Sequence, residues 1–392
     1  MSKIEELIEK LCPDGVEYKT IGNICEISRG VVMSKDFIRD NAGEYPVYSS
    51  QTENDGELGK IATYMYDGEY LTWTTDGANA GSVFYRNGKF SVTNVCGLLK
   101  VKSNEMITRF LYFVLQTATK SYVNKGMGNA KLMSNVMATI KVPIPPLEIQ
   151  SEIVKVLDNF TELTAELTAE LTARKKQYNY YRDKLLTFEE PKVEWKKLEE
   201  VVGFRNGVGH EKDIVLDGKY IVVNSKFIST NGLVKKYSDS QLSPLYKNDI
   251  LMVMSDLPNG KALAKCFLVD ENNKYTLNQR ICAITNKDNK GIDVKYLFYI
   301  LNRNRQLLKY DNGVDQTNLK KDDILNISVP IPPLDIQQRI VDVLDNFDKI
   351  CSDLGIGLPA EIEKRQKQYE YFREKLLTFD NKSATIFTDR QG

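Results

Sequence analysis

Histidine is nearly missing from this chain: His210 is the one copy in 392 residues. With that single imidazole, a His-based metal site or catalytic triad within this chain is not expected. Glu211 and Asp217, near His210, lack metal-ligand spacing. The six cysteines (Cys12, Cys25, Cys96, Cys266, Cys282, Cys351) are scattered and form no CxxC pair. A disulfide or zinc framework is not expected, and the thiols read as reduced, in a cytoplasmic protein. Apolar runs are short. The one at 110–115 is far from the length that spans a membrane, so no membrane partner is expected. The start, MSKIEELIEK, lacks the apolar centre of a secretory signal. Neither a Gly-rich cofactor loop after a strand nor a GxxxxGKS phosphate loop is found. Net charge is missing too, with 53 basic against 53 acidic residues. Any basic surface must therefore be local.

What the chain does have is a repeat. Residues 142–190 begin VPIPPLEIQSEIVKVLDNF, and residues 329–380 begin VPIPPLDIQQRIVDVLDNF. The copies end in KKQYNYYRDKLLTF and RQKQYEYFREKLLTF. Such self-similarity outranks single motifs as a guide to architecture. The Pro-rich start of each copy is extended, because Pro fixes φ and disfavours helix in its predecessor. Apolar residues then recur at Ile149, Ile153, Val156, Phe160, Leu163 and Leu167, in steps of four and three. The tandem TAEL units at 164–167 and 168–171 carry the stripe from Leu163 through Leu167 to Leu171, a stutter in the pattern. It resumes through Arg174, Tyr178, Tyr181, Leu185 and Phe188. A helix over 149–188 would be roughly 60 Å long at ~1.5 Å per residue. The second stripe runs Ile336, Ile340, Val343, Phe347, Ile350 and Leu354. It breaks at Gly355-Ile356-Gly357-Leu358-Pro359 and restarts through Ile362, Tyr369, Phe372, Leu376 and Phe379. Two long helices with matching stripes should pack on each other.

A variable segment precedes each copy. Val16-Glu17-Tyr18-Lys19 opens the first and Val193-Glu194-Trp195-Lys196 the second. Both close alike, with 110–115 matching 296–301 and 126–132 matching 313–319. Strands are expected at 45–48, 61–65, 70–75 and 82–85, and at 220–223, 249–254 and 264–269. Hairpin turns are expected at Asp55-Gly56, Asp67-Gly68, Asp76-Gly77 and Asn87-Gly88. In the second segment, turns are expected at Asp217-Gly218, Asn231-Gly232 and Asn259-Gly260. One helix follows in each, at 109–120 and 294–310. The fold class read from this is α+β, with two mixed domains and two long helices. Its divisions are an N-terminal helical segment (1–15), a first variable domain (16–141), a central repeated helix (142–190), a second variable domain (191–328), a C-terminal repeated helix (329–380) and a tail (381–392).

The paired PIPPLxIQ…IVxVLDNF…LLTF segments, the TAEL repeat inside the first, and the variable domain before each make the chain resemble the specificity subunits of type I restriction–modification systems. The resemblance covers nearly the whole sequence. It implies two target recognition domains, each reading half of a split, asymmetric site in double-stranded DNA. It implies that the helices form an antiparallel coiled coil, with pseudo-twofold repetition, acting as a ruler between them. It also implies two methyltransferase subunits as partners, with restriction subunits in the nuclease. S-adenosylmethionine, ATP and magnesium would belong to those partners and none to this chain, which would not be an enzyme. The missing Asn-Pro-Pro-aromatic motif of amino-methyltransferases agrees. The second copy is four residues longer between DNF and QY, so the spacing of the half-sites cannot be counted from the repeat.

Candidate DNA contacts are amides, hydroxyls and basic groups in turns, because Asn and Gln match adenine and Lys and Arg match guanine or phosphate. In the first domain they are Ser50, Gln51, Asn79, Lys125, Asn129 and Lys131. In the second they are Lys226, Asn259, Lys261, Gln279, Arg280, Gln316 and Asn318. The same residue types also serve plain turns. The spacer positions are Ile153, Phe160, Leu163, Leu167, Leu171, Tyr178 and Leu185 in the first copy, with Ile340, Phe347, Ile362, Tyr369 and Leu376 in the second. Arg174-Lys175-Lys176 and Lys364-Arg365-Lys367 could grip phosphates or simply be solvated. The alternative to DNA reading is a coiled-coil scaffold that gathers protein partners.

Overall fold

The computed structural model describes residues 3–126, 129–189, 192–210, 212–258, 260–287, 291–352 and 355–380. Asn259, Glu211, Leu354 and the tail at 381–392 lie outside the described residues. The chain folds into two compact units, Met1–Thr168 with Glu361–Gly392, and Ala169–Ala360.

The first unit is built on a six-stranded sheet in the order Cys25–Arg29, Cys96–Val101, Tyr66–Thr74, Val83–Val92, Ala42–Tyr48, Glu57–Ile61. All neighbours are antiparallel except Val83–Val92 and Ala42–Tyr48, which run parallel with Val47 opposite Ser91. Asp67-Gly68 and Asn87-Gly88, expected as turns, lie inside the ladder with Gly68 opposite Gly88. Both glycines have positive φ, the conformation that favours glycine. They let the pair of strands continue where a hairpin would have ended it. The expected strand at 61–65 is mostly loop, because pairing with Ala42–Tyr48 ends at Ile61. Trp73, fully buried, packs flat on Gly97. A Cβ there would lie 2.3 Å from the indole ring, so the position admits only glycine. Around Trp73 the core gathers Phe110, Leu111 and Phe113 of the helix Thr108–Ala118.

The second unit carries a four-stranded sheet, Val202–Asn206, Ile281–Asn286, Ile250–Val253, Cys266–Leu268, and a three-stranded one, Tyr237–Ser238, Tyr220–Val223, Tyr275–Leu277. Tyr220–Val223 runs parallel to Tyr275–Leu277. The expected helix over 294–310 is broken into Val294–Leu301 and Arg305–Leu308. Arg303 between them has φ +55, a left-handed value that ends a helix.

The linker segments are paired in the same way in both units. Glu17–Thr20 pairs with Lys141–Ile144, and Glu194–Lys197 with Ser328–Ile331. The central helix spans Leu147–Leu185, and the second copy forms Leu334–Ser352 and Leu358–Leu377. In the first unit Phe160 stacks on Phe372 at 5.4 Å between centroids. In the second, Tyr178 and Tyr181 meet Phe347 at 6.2 and 5.8 Å. Ile153 and Ile340 are buried. Leu167, Leu171, Leu185, Ile362, Tyr369 and Leu376 are half-buried. Leu163 departs from the expected stripe. It is 43% exposed, while Thr164 is half-buried. The inward positions therefore run 157, 160, 164, 167, 171, 174 and 178, alternating three and four without a stutter. Inward facing follows the phase of the whole helix, so a threonine takes a stripe position and a leucine is turned out.

Candidate nucleic-acid interface

The candidate residues of the first unit sit on three loops, two tied together by backbone hydrogen bonds and the third by a side-chain bond. The Leu132 amide donates to the Thr75 carbonyl at 2.8 Å, and the Gly77 amide to Ala130 at 3.0 Å. Asn124 and Lys131 exchange amide-to-carbonyl bonds at 2.9 and 3.0 Å. The Trp73 indole donates to the Leu132 carbonyl at 2.9 Å, and the Thr119 hydroxyl to Gly81 at 2.7 Å, fixing both loops to the core. Asn79 then reaches the third loop, donating through Nδ2 to Thr52 Oγ1 at 2.9 Å. Lys125, Asn129 and Lys131 are exposed and Ser50 is half-buried.

The second unit builds the same arrangement. The Leu319 amide donates to the Met254 carbonyl at 2.8 Å, the counterpart of Leu132 and Thr75. Ser255 pairs opposite Asn318, where the first unit has Asp76 opposite Lys131. The Met254 amide donates to the Arg280 carbonyl at 2.9 Å, and the Asn278 amide donates to the Val223 carbonyl, next to the Asn224 cap of the helix Ser225–Ser229 that carries Lys226. The Asp256 carboxylate accepts from the amides of Leu257, Ala262 and Leu263 at 2.9, 2.7 and 3.1 Å, winding the loop that bears Lys261 around itself. A Cβ on Gly260 would fall 2.1 Å from Asp256 Oδ2. Lys226, Lys261, Gln279, Arg280, Gln316 and Asn318 are exposed.

Several candidate amides are already engaged. Gln51 Nε2 donates to the Glu57 carbonyl, and Gln316 Nε2 to Ser255 Oγ at 2.8 Å. With Asn79 also committed, these three cannot offer both edges of the amide to an adenine in this arrangement. Their role here is to hold loops. The basic candidates differ: Lys125, Lys131, Lys226, Lys261 and Arg280 are exposed, with no ion pair among the described residues. The basic runs on the helices are partly satisfied instead. Arg174 pairs with Glu170, Arg365 with Glu361 and Lys367 with Glu363, each one helical turn away. Sequence reading missed Arg86, buried beneath the loop at 49–56, since nothing in the residues around it marks a charge that points inward.

A family model described as type I restriction modification DNA specificity domain matches residues 13–174 and again 191–364. A Mycoplasma pneumoniae protein named as a type I specificity subunit is 35% identical over 377 residues, covering 91% of this chain and 96% of its own. The specificity subunit of the MpnII type I restriction enzyme, from the same organism, is 45% identical over 190 residues, 47% of this chain and 57% of its own. Among solved structures, the S subunit of a type I system from M. genitalium shares the fold with a TM-score of 0.58 at 15% identity, covering 93% of this chain and 96% of its own. With two matched domains spanning most of its length, the chain belongs to the type I restriction–modification specificity subunits, the non-catalytic members of systems whose catalysis lies in partner subunits.

Proposed function

We propose that each unit reads one half of a split, asymmetric site in double-stranded DNA through its tethered loops. The observation that carries this is the shared frame with different side chains. The same amide-to-carbonyl tether places Asp76 and Lys131 in one unit and Ser255 and Asn318 in the other. A frame held constant while its presented groups vary suits two half-sites of different sequence. The exposed basic side chains supply phosphate or guanine contacts despite the balanced overall charge.

In this reading 16–141 and 191–328 are the recognition domains, and 142–190 and 329–380 form the spacer. Their helices pair as an antiparallel coiled coil in a pseudo-twofold repeat and set the distance between half-sites. The chain recruits two methyltransferase subunits, joined by restriction subunits in the nuclease, in the cytoplasm. Those subunits bring S-adenosylmethionine, ATP and magnesium, and flip the adenine that is methylated.

Base-resolution methylation mapping tests the proposal, in cells with the cognate methyltransferase subunit and with or without this chain. A methyl-adenine motif split by a fixed gap, present only with the chain, is the expected result. Methylation unchanged by its absence would leave the chain as a protein-gathering scaffold.

A further inference from the structure

Each unit grips one loop with a cation rooted in its sheet. In the first, the loop at 49–56 follows Ala42–Tyr48, the strand that runs parallel to Val83–Val92. Asn54, Asp55 and Gly56 are left-handed in succession, with φ of 49°, 53° and 80°. Glycine adopts that region freely, while Asn and Asp tolerate it at a cost that support from outside the turn offsets. Arg86, 3% exposed, supplies it. Its Nη1 donates to Asp55 Oδ2 at 2.5 Å, its Nη2 to the Asp55 carbonyl at 2.6 Å and its Nε to Thr72 Oγ1 at 3.2 Å. The guanidinium lies 3.6 Å from the centre of the Tyr48 ring.

The second unit uses another residue for the same task. The segment at 224–232, the helix Ser225–Ser229 and the turn after it, follows Tyr220–Val223, the strand that runs parallel to Tyr275–Leu277. Asn231 and Gly232 are left-handed, with φ of 50° and 81°. Lys265, half-buried just before the strand Cys266–Leu268, donates through Nζ to the Ser229 carbonyl at 3.0 Å and to Asn231 Oδ1 at 2.8 Å. Burial, with Arg303 nearby, lowers its pKa from the ordinary lysine value.

A buried charge is a poor way to gain stability, since a well-packed apolar side chain does as well or better. Its advantage is geometric: it fixes a loop that sequence leaves loose. The two segments carry Ser50 in one unit and Lys226 in the other. We propose that Arg86 and Lys265 are positioning residues for base recognition, each fixing the loop that reads within its own half-site. This rests on the half-site reading given above.

The test maps methyl-adenine with the full chain and its cognate methyltransferase subunit. Wild type comes first: if it yields no split motif, the half-site reading fails and this inference falls with it. Given a split motif, Arg86→Lys and Asp55→Asn should relax base preference, or lower methylation roughly tenfold or more, through one half of it only. Lys265→Met and Asn231→Gly should do so through the other half, with the gap unchanged throughout. Asp55 and Asn231 are exposed partners, so their variants decide the matter where a variant of the buried cation does not fold. Maps identical to wild type, or both halves weakened equally by one variant, would overturn the proposal.

Discussion

Gln150 Oε1 accepts the amide of Ile107 at 2.8 Å, joining the start of the central helix to the start of the helix Thr108–Ala118. Its Nε2 donates to the carbonyls of Glu105 and Pro145, both at 2.7 Å. Gln337 repeats this in the second unit, accepting from Asp293 at 2.8 Å and donating to Gly291 and Pro332 at 2.9 and 2.7 Å. Both side chains are fully buried. In each unit one glutamine thus locks the repeated helix to the variable domain before it.

Replacing either glutamine with leucine would leave one amide and two carbonyls without their partner, one carbonyl in each case losing a buried bond. At roughly 1–3 kcal/mol for a buried unsatisfied group, Gln150→Leu and Gln337→Leu should each cost about 3 kcal/mol or more. The urea midpoint of the purified chain checks this. A midpoint within error of wild type would remove the lock from the account.

Alkaline pH should weaken the fold in a defined window. Burial pushes the phenols of Tyr85, Tyr178 and Tyr275 up to about 12, helped at Tyr85 by Glu69 and at Tyr275 by Asp270. In the unfolded chain tyrosine titrates near ~10. The folded chain therefore holds protons that the unfolded chain has lost. Stability from these groups is intact below about 10 and falls as pH rises towards about 12. Denaturation midpoints from pH 8 to 11.5, with phenolate absorbance followed in parallel, should show the fall beginning near 10.

Salt dependence tests the exposed lysines. If Lys131 contacts a phosphate, Lys131→Ala should weaken binding of the assembled complex to all DNA about equally. It should also reduce the slope of log K against log salt by about one. An altered base preference with an unchanged slope would instead place Lys131 on a base edge.

Deleting one TAEL unit, 168–171, should shorten the central helix by ~6 Å. At ~3.4 Å per base pair, the mapped gap should shrink by one or two base pairs while both half-sites keep their sequences. A motif lost altogether would count against a ruler that tolerates changes of one unit.

The repeat, the extended Pro-rich linkers and the break at Gly355-Ile356-Gly357 were legible because each has a local cause. Proline is excluded from a helix interior, and a stripe in steps of three and four favours helix. Local rules misled where a neighbouring strand decided the outcome. Asp67-Gly68 and Asn87-Gly88 read as turns yet sit opposite each other within one ladder. Leu163 looks like a stripe residue and is turned outward, with Thr164 in its place.

The candidate surface divides along the same line. Sequence by itself determined that two variable domains of one pattern precede two copies of one helix, and which turns are rich in amides and bases. Tertiary structure alone decided which of those turns meet, that Gln51, Asn79 and Gln316 are spent on holding loops, and that Arg86 points inward while Lys131 points out. The reason is physical. A hydrogen bond between loops distant in the chain depends on sheet order and register, and no short window of residues encodes either.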